Sequence, residues 1–157
     1  VSEKEFLSQL KEHQNIIYKL VHLYATSEED KKDLYQEILF QAWKTYSSFR
    51  RDAKFSTWLY RLSLNTIFTI QRKTNKMDYT DTTKYEEQLV TVAVNDEKER
   101  LYKAIRTLSE TERAIVSLHL DGYDNKEVSQ LLGITANLVG VKLHRAKQQL
   151  TTLLKNI

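Results

Sequence analysis

Apolar residues return every three or four positions through the first part of the chain. Phe6, Leu10, Ile17, Leu20 and Val21 fall on one side of a helix that the pattern predicts to end near Thr26 and Ser27. Ser27 followed by Asp30 reads as a capping box opening a second helix over 28–47, with Leu34, Ile38, Ala42 and Tyr46 turned inward. After a short FRRDAK loop, a third helix runs from Phe55 to about Lys73. Its predicted buried stripe is Phe55, Leu59, Leu62, Thr66 and Ile70.

The periodicity then lapses. Residues 74–95 are polar and Thr-rich, apart from an alternating VTVAV that can pass for a strand. They read as a flexible linker, and the boundaries are drawn at 1–76 for a first domain, 77–95 for the linker and 96–157 for a second domain. Helical spacing resumes with a helix over 96–107. Ser109 with Glu112 forms a capping box for 110–121, which Gly122 closes, and Asp124 with Glu127 forms another for 125–132. Gly133 ends that short helix, and Thr135 caps a last one running to the carboxyl terminus.

Composition supports an all-α chain of two small helical domains. Among 157 residues there is no Pro and there are only three Gly, where average usage would supply about eight and eleven. With glycines only at 122, 133 and 140, neither GxGxxG nor GxxxxGK can be written, which excludes the nucleotide-binding enzymes built on those loops. The absence of Cys removes disulfides and thiol chemistry, and the four His (13, 22, 119, 144) lack metal-ligand spacing. No cofactor, no metal and no enzymatic reaction are expected, in a reducing, cytoplasmic setting. The acidic first decade VSEKEFLSQL differs from a signal peptide, and no apolar run is long enough to span a bilayer, so no membrane insertion is expected.

The formal net charge is only +3, but the charges are segregated. Between Lys44 and Lys76 eight basic residues face Asp52 alone, and after Glu127 come Lys142, Arg145, Lys147 and Lys155 with no acid. Two basic windows in one chain point to a polyanion, whereas one alone would read equally well as a solvated helix face.

The carboxyl-terminal pattern of a short helix, a turn containing Gly133 and a longer helix is that of a helix-turn-helix DNA reader. Val139, Leu143, Ala146, Leu150 and Leu153 share the inward side of the last helix. Asn137, Val141, His144, Arg145 and Gln148 project outward, suited to base edges and a thymine methyl, with Lys142 and Lys147 on the flanks for phosphates. On the third helix, Trp58, Arg61, Asn65 and Arg72 line one face beside Phe68 and Thr69. An aromatic ring, guanidiniums and an amide in line suit unpaired bases and their backbone. On the second helix Phe40 stands among Asp33, Glu37 and Lys44 on the predicted wet side, which suggests a protein partner.

Taken together, DLYQEILFQAWKTYSSFRRDAKFSTWLYRLSLNTIFTIQRK at 33–73 and LSETERAIVSLHLDGYDNKEVSQLLGITANLVGVKLHRAKQQL at 108–150 resemble the two modules of bacterial RNA polymerase sigma factors of the extracytoplasmic-function type. The resemblance rests on DLxQE at Asp33–Glu37, FxTWLYRxxxN at Phe55–Asn65, LSxxER at Leu108–Arg113 and LHRAK at Leu143–Lys147. It implies a non-enzymatic subunit that directs promoter-specific initiation. Its partners would be core polymerase (the β′ coiled coil and the β flap), promoter DNA in duplex and single-stranded form, and an anti-sigma factor.

Residue by residue, the resemblance puts Asp33, Gln36, Glu37, Phe40 and Lys44 against polymerase. Arg50, Arg51, Lys54, Trp58, Arg61, Asn65 and Arg72 fall on the minus-10 element, with Asn65 nearest a flipped base. Thr135, Asn137, Val141, Lys142, His144, Arg145, Lys147 and Gln148 fall on the minus-35 element. The chain departs from the family pattern Glu-Gly-Thr-Val-Lys-Ser at Ala136–Val141, which shifts the implied affinity toward phosphate contacts from Lys142, Arg145 and Lys147. Two other readings stay open on the residues alone: a stand-alone helix-turn-helix regulator of duplex DNA, and a helical protein-interaction module.

Overall fold

The computed structural model describes residues 3–49, 53–77 and 96–155. They form seven α-helices and one 3₁₀ turn, with no strand among the described residues. The VTVAV segment, most of the 77–95 linker, Arg50 and Arg51 lie outside them. The chain divides into two compact units, the first holding α1 (Glu3–Tyr24), α2 (Glu28–Thr45) and α3 (Phe55–Met77), the second α4 (Asp96–Arg106), α5 (Glu110–Leu120), α6 (Asn125–Leu132) and α7 (Ala136–Lys155).

In the first unit each of the three helices packs on the other two. Ile17 and Leu20 of α1, Ile38 and Ala42 of α2, and Leu59, Leu64 and Ile67 of α3 are fully buried, each large aliphatic side chain contributing about 1.5–3 kcal/mol. Ser27 caps α2 through its hydroxyl, which accepts the Asp30 N–H at 3.0 Å. The reciprocal bond of a full capping box forms at Ser109–Glu112 and Asp124–Glu127, where the fourth residue is Glu. Tyr46 is buried as the α2 pattern predicts, but it belongs to the 3₁₀ turn Tyr46–Ser48.

The buried arc of α3 is rotated from the predicted stripe. Phe55 and Leu59 are in the core, but Tyr60, Ser63, Leu64 and Ile67 complete it, while Leu62, Thr66 and Ile70 are half-buried beside α2. Phe68 does not join the polar face of α3. It meets Tyr24 of α1 edge-on at 6.1 Å. Near the α1–α2 turn, Tyr18 and Tyr35 stack at 4.9 Å and the Tyr35 hydroxyl donates to that of Tyr18 at 3.4 Å. Burial, then this hydrogen bond and the charge of Tyr18, push the Tyr35 phenol up to about 12.

In the second unit α7 packs on α4, α5 and α6. Ile105, Ile115, Leu118, Val128, Val139 and Ala146 form its core, while the predicted inward residues Leu150 and Leu153 are only half-buried. α5 and α6 both end on glycine with positive φ, Gly122 at 96° and Gly133 at 73°. In each case the following N–H reaches back to the last turn, Tyr123 to Leu118 O at 3.1 Å and Ile134 to Ser129 O at 3.3 Å. A side chain at either glycine would be strained, so Gly122 sets the sharp turn from α5 to α6 and Gly133 the one from α6 to α7.

Candidate nucleic-acid interface

The α2 and α3 helices of the first unit enclose an open groove of about 460 Å³. Its apolar floor is the displaced stripe of Leu62 and Ile70, which explains why those residues are not sealed in the core. The α3 rim carries Trp58, Arg61, Asn65 and Thr69 at helical spacing, and Arg61, Asn65 and Thr69 are exposed. Trp58 is half-buried and braced by Phe49 at 5.3 Å, Phe55 at 5.4 Å and Tyr46 at 6.0 Å. The aromatic cluster holds the indole in place and leaves part of it at the groove.

The opposite rim comes from α2. Gln41 donates its amide to the Glu37 carboxylate at 3.0 Å, and the Thr45 hydroxyl donates to the Gln41 carbonyl at 2.7 Å. A ring able to stack, amides able to bond to base edges and a guanidinium able to meet a phosphate are thus grouped around one groove. Sequence spacing finds the α3 half of this site. It assigns Glu37 to the docking surface and omits Gln41 and Thr45; the three share one side of α2 at steps of four, but which side of α2 stands beside α3 is set by packing between the helices.

Lys54 and Arg72 are exposed, but Lys73 rather than Arg72 lines the groove. The outer face of α2 presents Asp33, Gln36, Phe40 and Lys44 to solvent. Phe40 is 56 % exposed, and the Lys44 ammonium lies 5.9 Å from its ring centroid. Trp43, 50 % exposed, widens this apolar surface and is a residue that the sequence reading passes over. Its position three residues from Phe40 is the signal that marks it.

In the second unit, Asn137, Val141, His144, Arg145 and Gln148 are exposed on one face of α7. They border a concavity of about 540 Å³ with Gly140 and with Asn125 at the start of α6. Thr135 acts as the α7 cap, its hydroxyl accepting the Leu138 N–H at 3.1 Å. Lys147 is exposed and Lys142 half-buried, both outside the concavity. Asn125 is the residue that sequence spacing does not find here. Among the described residues there is no cluster of three or more His, Asp or Glu able to hold a metal, and no helix is long and apolar enough to cross a membrane.

Comparison with known proteins decides the family. Residues 10–77 match the family model described as Sigma-70 region 2, and residues 98–150 match that of Sigma-70, region 4. The chain belongs to the sigma-70 family. Similar proteins are the ECF RNA polymerase sigma factor SigW of Bacillus subtilis, 27% identical with 90% of this chain and 84% of that one covered, and the ECF RNA polymerase sigma-E factor of Escherichia coli, 24% identical over 93% and 84%. The fold is similar to that of the sigma factor RpoE in its complex with the anti-sigma factor NepR from Bartonella quintana, with a TM-score of 0.78, 19% identity and coverage of 97% and 98%. It is also similar to CnrH in complex with the cytosolic domain of CnrY, at a TM-score of 0.72, 21% identity and coverage of 99% and 90%. This sigma factor is of the extracytoplasmic-function type, whose members associate with RNA polymerase for promoter-specific initiation and are not enzymes. Core polymerase and promoter DNA are the partners of such proteins.

Proposed function

We propose that this sigma factor divides promoter recognition between its two units, residues 1–76 taking the minus-10 element and residues 96–157 the minus-35 element. The α2 surface with Asp33, Gln36, Glu37, Phe40, Lys44 and the added Trp43 seats on the β′ coiled coil of core polymerase. The second unit meets the β flap. Unpaired minus-10 bases enter the α2–α3 groove, where Trp58 stacks, Asn65 bonds to a splayed base and Arg61 holds the backbone, with Arg50, Arg51, Lys54 and Arg72 on flanking phosphates. In duplex DNA at minus-35, the exposed face of α7 enters the major groove, and Lys142 and Lys147 contact phosphates.

The observation that carries this reading is the open groove with half-buried Trp58 and exposed Arg61 and Asn65 on one rim. A surface that traps unpaired bases favours the melted promoter by binding it, which requires no ATP. An anti-sigma factor, as in the RpoE–NepR complex, would restrain the protein in the cytoplasm by covering these surfaces.

The deciding experiment adds the purified chain to sigma-free core polymerase on a genomic template library. Specific transcripts that start only in its presence support the proposal. Sequence-specific duplex binding without core, and no transcription with it, would establish the stand-alone regulator instead.

A further inference from the structure

The α7 surface that faces away from the core begins with a run of uncharged residues. From Ala136 to Val141 there is no ionisable side chain, and the first cation, Lys142, is half-buried and outside the concavity. Val141 stands within that surface and is 47 % exposed. One helical turn before it lies Asn137, one turn after it Arg145, with His144 alongside. Gly140 keeps the floor low beside Val141, since a Cβ there would already stand 3.5 Å from the Asn125 Nδ2.

This arrangement selects a type of base pair. Guanine is read in the major groove by a bidentate Arg or Lys, and none stands between Ala136 and Val141; on the exposed face the first is Arg145, one turn beyond Val141. The apolar feature in that groove is the C5-methyl of thymine, and an Asn amide pairs with the N6/N7 edge of adenine. Arg145 on this face and Lys142 and Lys147 on its flanks, with no acid after Glu127, favour a polyanion as its occupant.

We infer that Val141 seats against a thymine methyl, so that the upstream element of this sigma factor carries an A·T pair beneath Val141, with an adenine edge within the span of Asn137. The inference rests on the reading of α7 as the upstream duplex reader, and supplies the base chemistry which that reading leaves open. Burial of one methyl group predicts about a fourfold effect on binding.

The test uses the full chain assembled with core polymerase. Duplexes randomised upstream of a fixed minus-10 segment are selected for retention by the holoenzyme. The enriched duplex is then synthesised with 2′-deoxyuridine replacing thymidine one position at a time, which removes only the methyl. The inference expects one position at which deoxyuridine weakens retention about fourfold with the wild-type chain and has no effect with Val141→Ala, an exposed substitution that leaves the core intact. An enriched element that tolerates deoxyuridine everywhere, contains no thymine, or keeps its deoxyuridine sensitivity with Val141→Ala overturns the inference while leaving α7 as the upstream reader. Failure to enrich any upstream element overturns the reading of α7 and the inference with it.

Discussion

The indole of Trp43 lies 5.2 Å from the ring of Phe6, tilted by 54°, so that one side of Trp43 secures α1 against α2 while the other faces solvent. Phe40, three residues earlier and more exposed, has only the Lys44 cation against its ring among the aromatic contacts described. The two residues should therefore separate stability from docking. Phe40→Ala is expected to leave thermal unfolding within about 0.5 kcal/mol of wild type and to weaken binding to core polymerase. Trp43→Ala is expected to weaken that binding and also to lower stability by about 1–2 kcal/mol, a fraction of the 3–5 typical of a fully buried ring. Melting curves and core-binding titrations of the two variants distinguish these outcomes, and equal core affinity in Phe40→Ala would move the interface off α2.

Asn65 is exposed on the groove rim and outside the core. Asn65→Ala should leave folding and core binding intact while reducing open-complex formation about tenfold, the effect of roughly 1.4 kcal/mol from lost hydrogen bonding to a base. Permanganate reactivity of promoter thymines measures the melting directly. Wild-type melting in the variant would remove Asn65 from the base contact.

Gly140 lies inside α7, and an added Cβ would make an ordinary contact with Asn125 at 3.5 Å. Gly140→Ala should therefore raise stability by about 0.8–1 kcal/mol through helix propensity alone, read as a shift of the urea midpoint. Destabilisation would mean that α6 and α7 approach more closely than the structure indicates.

Tyr35 supplies an alkaline signature. Its folded phenol titrates at about 12, against 10.0 for the ordinary group. The native state thus holds a proton that the unfolded chain releases, and stability present below pH 10 declines as pH rises toward 12. Tyr35→Phe should remove that component, giving a shallower loss of stability over this interval in denaturant titrations. Parallel wild-type and variant profiles would contradict it.

Much of the fold is legible along the chain because its determinants are local. The capping boxes at Ser109 and Asp124 and the glycine at 133 act within one turn of the helices they bound, so reading neighbours suffices. The inward faces of α1 and α2 follow in the same way, except that Leu10 of the predicted stripe is only half-buried. α3 is different: LYRLSLNTIFTI places apolar groups on more than one side, and its spacing alone does not choose which arc meets α1 and which meets α2. The Leu62–Ile70 row becomes a groove floor only because α2 stands beside it. The same tertiary dependence conceals the groove positions of Gln41 and Glu37 and the place of Asn125, and it takes Phe68 away from the polar face to Tyr24.

Phe40 and Glu37 stand three residues apart on a single uninterrupted helix, neighbours on its surface, Phe40 exposed and Glu37 at the edge of the slot that Asn65 also lines. Between them Ile38 is fully enclosed, so α2 has no joint at which the two ends of this arrangement can turn independently. A protein that grips the outer ring therefore also sets the bearing of the slot, as a handle sets the angle of a blade.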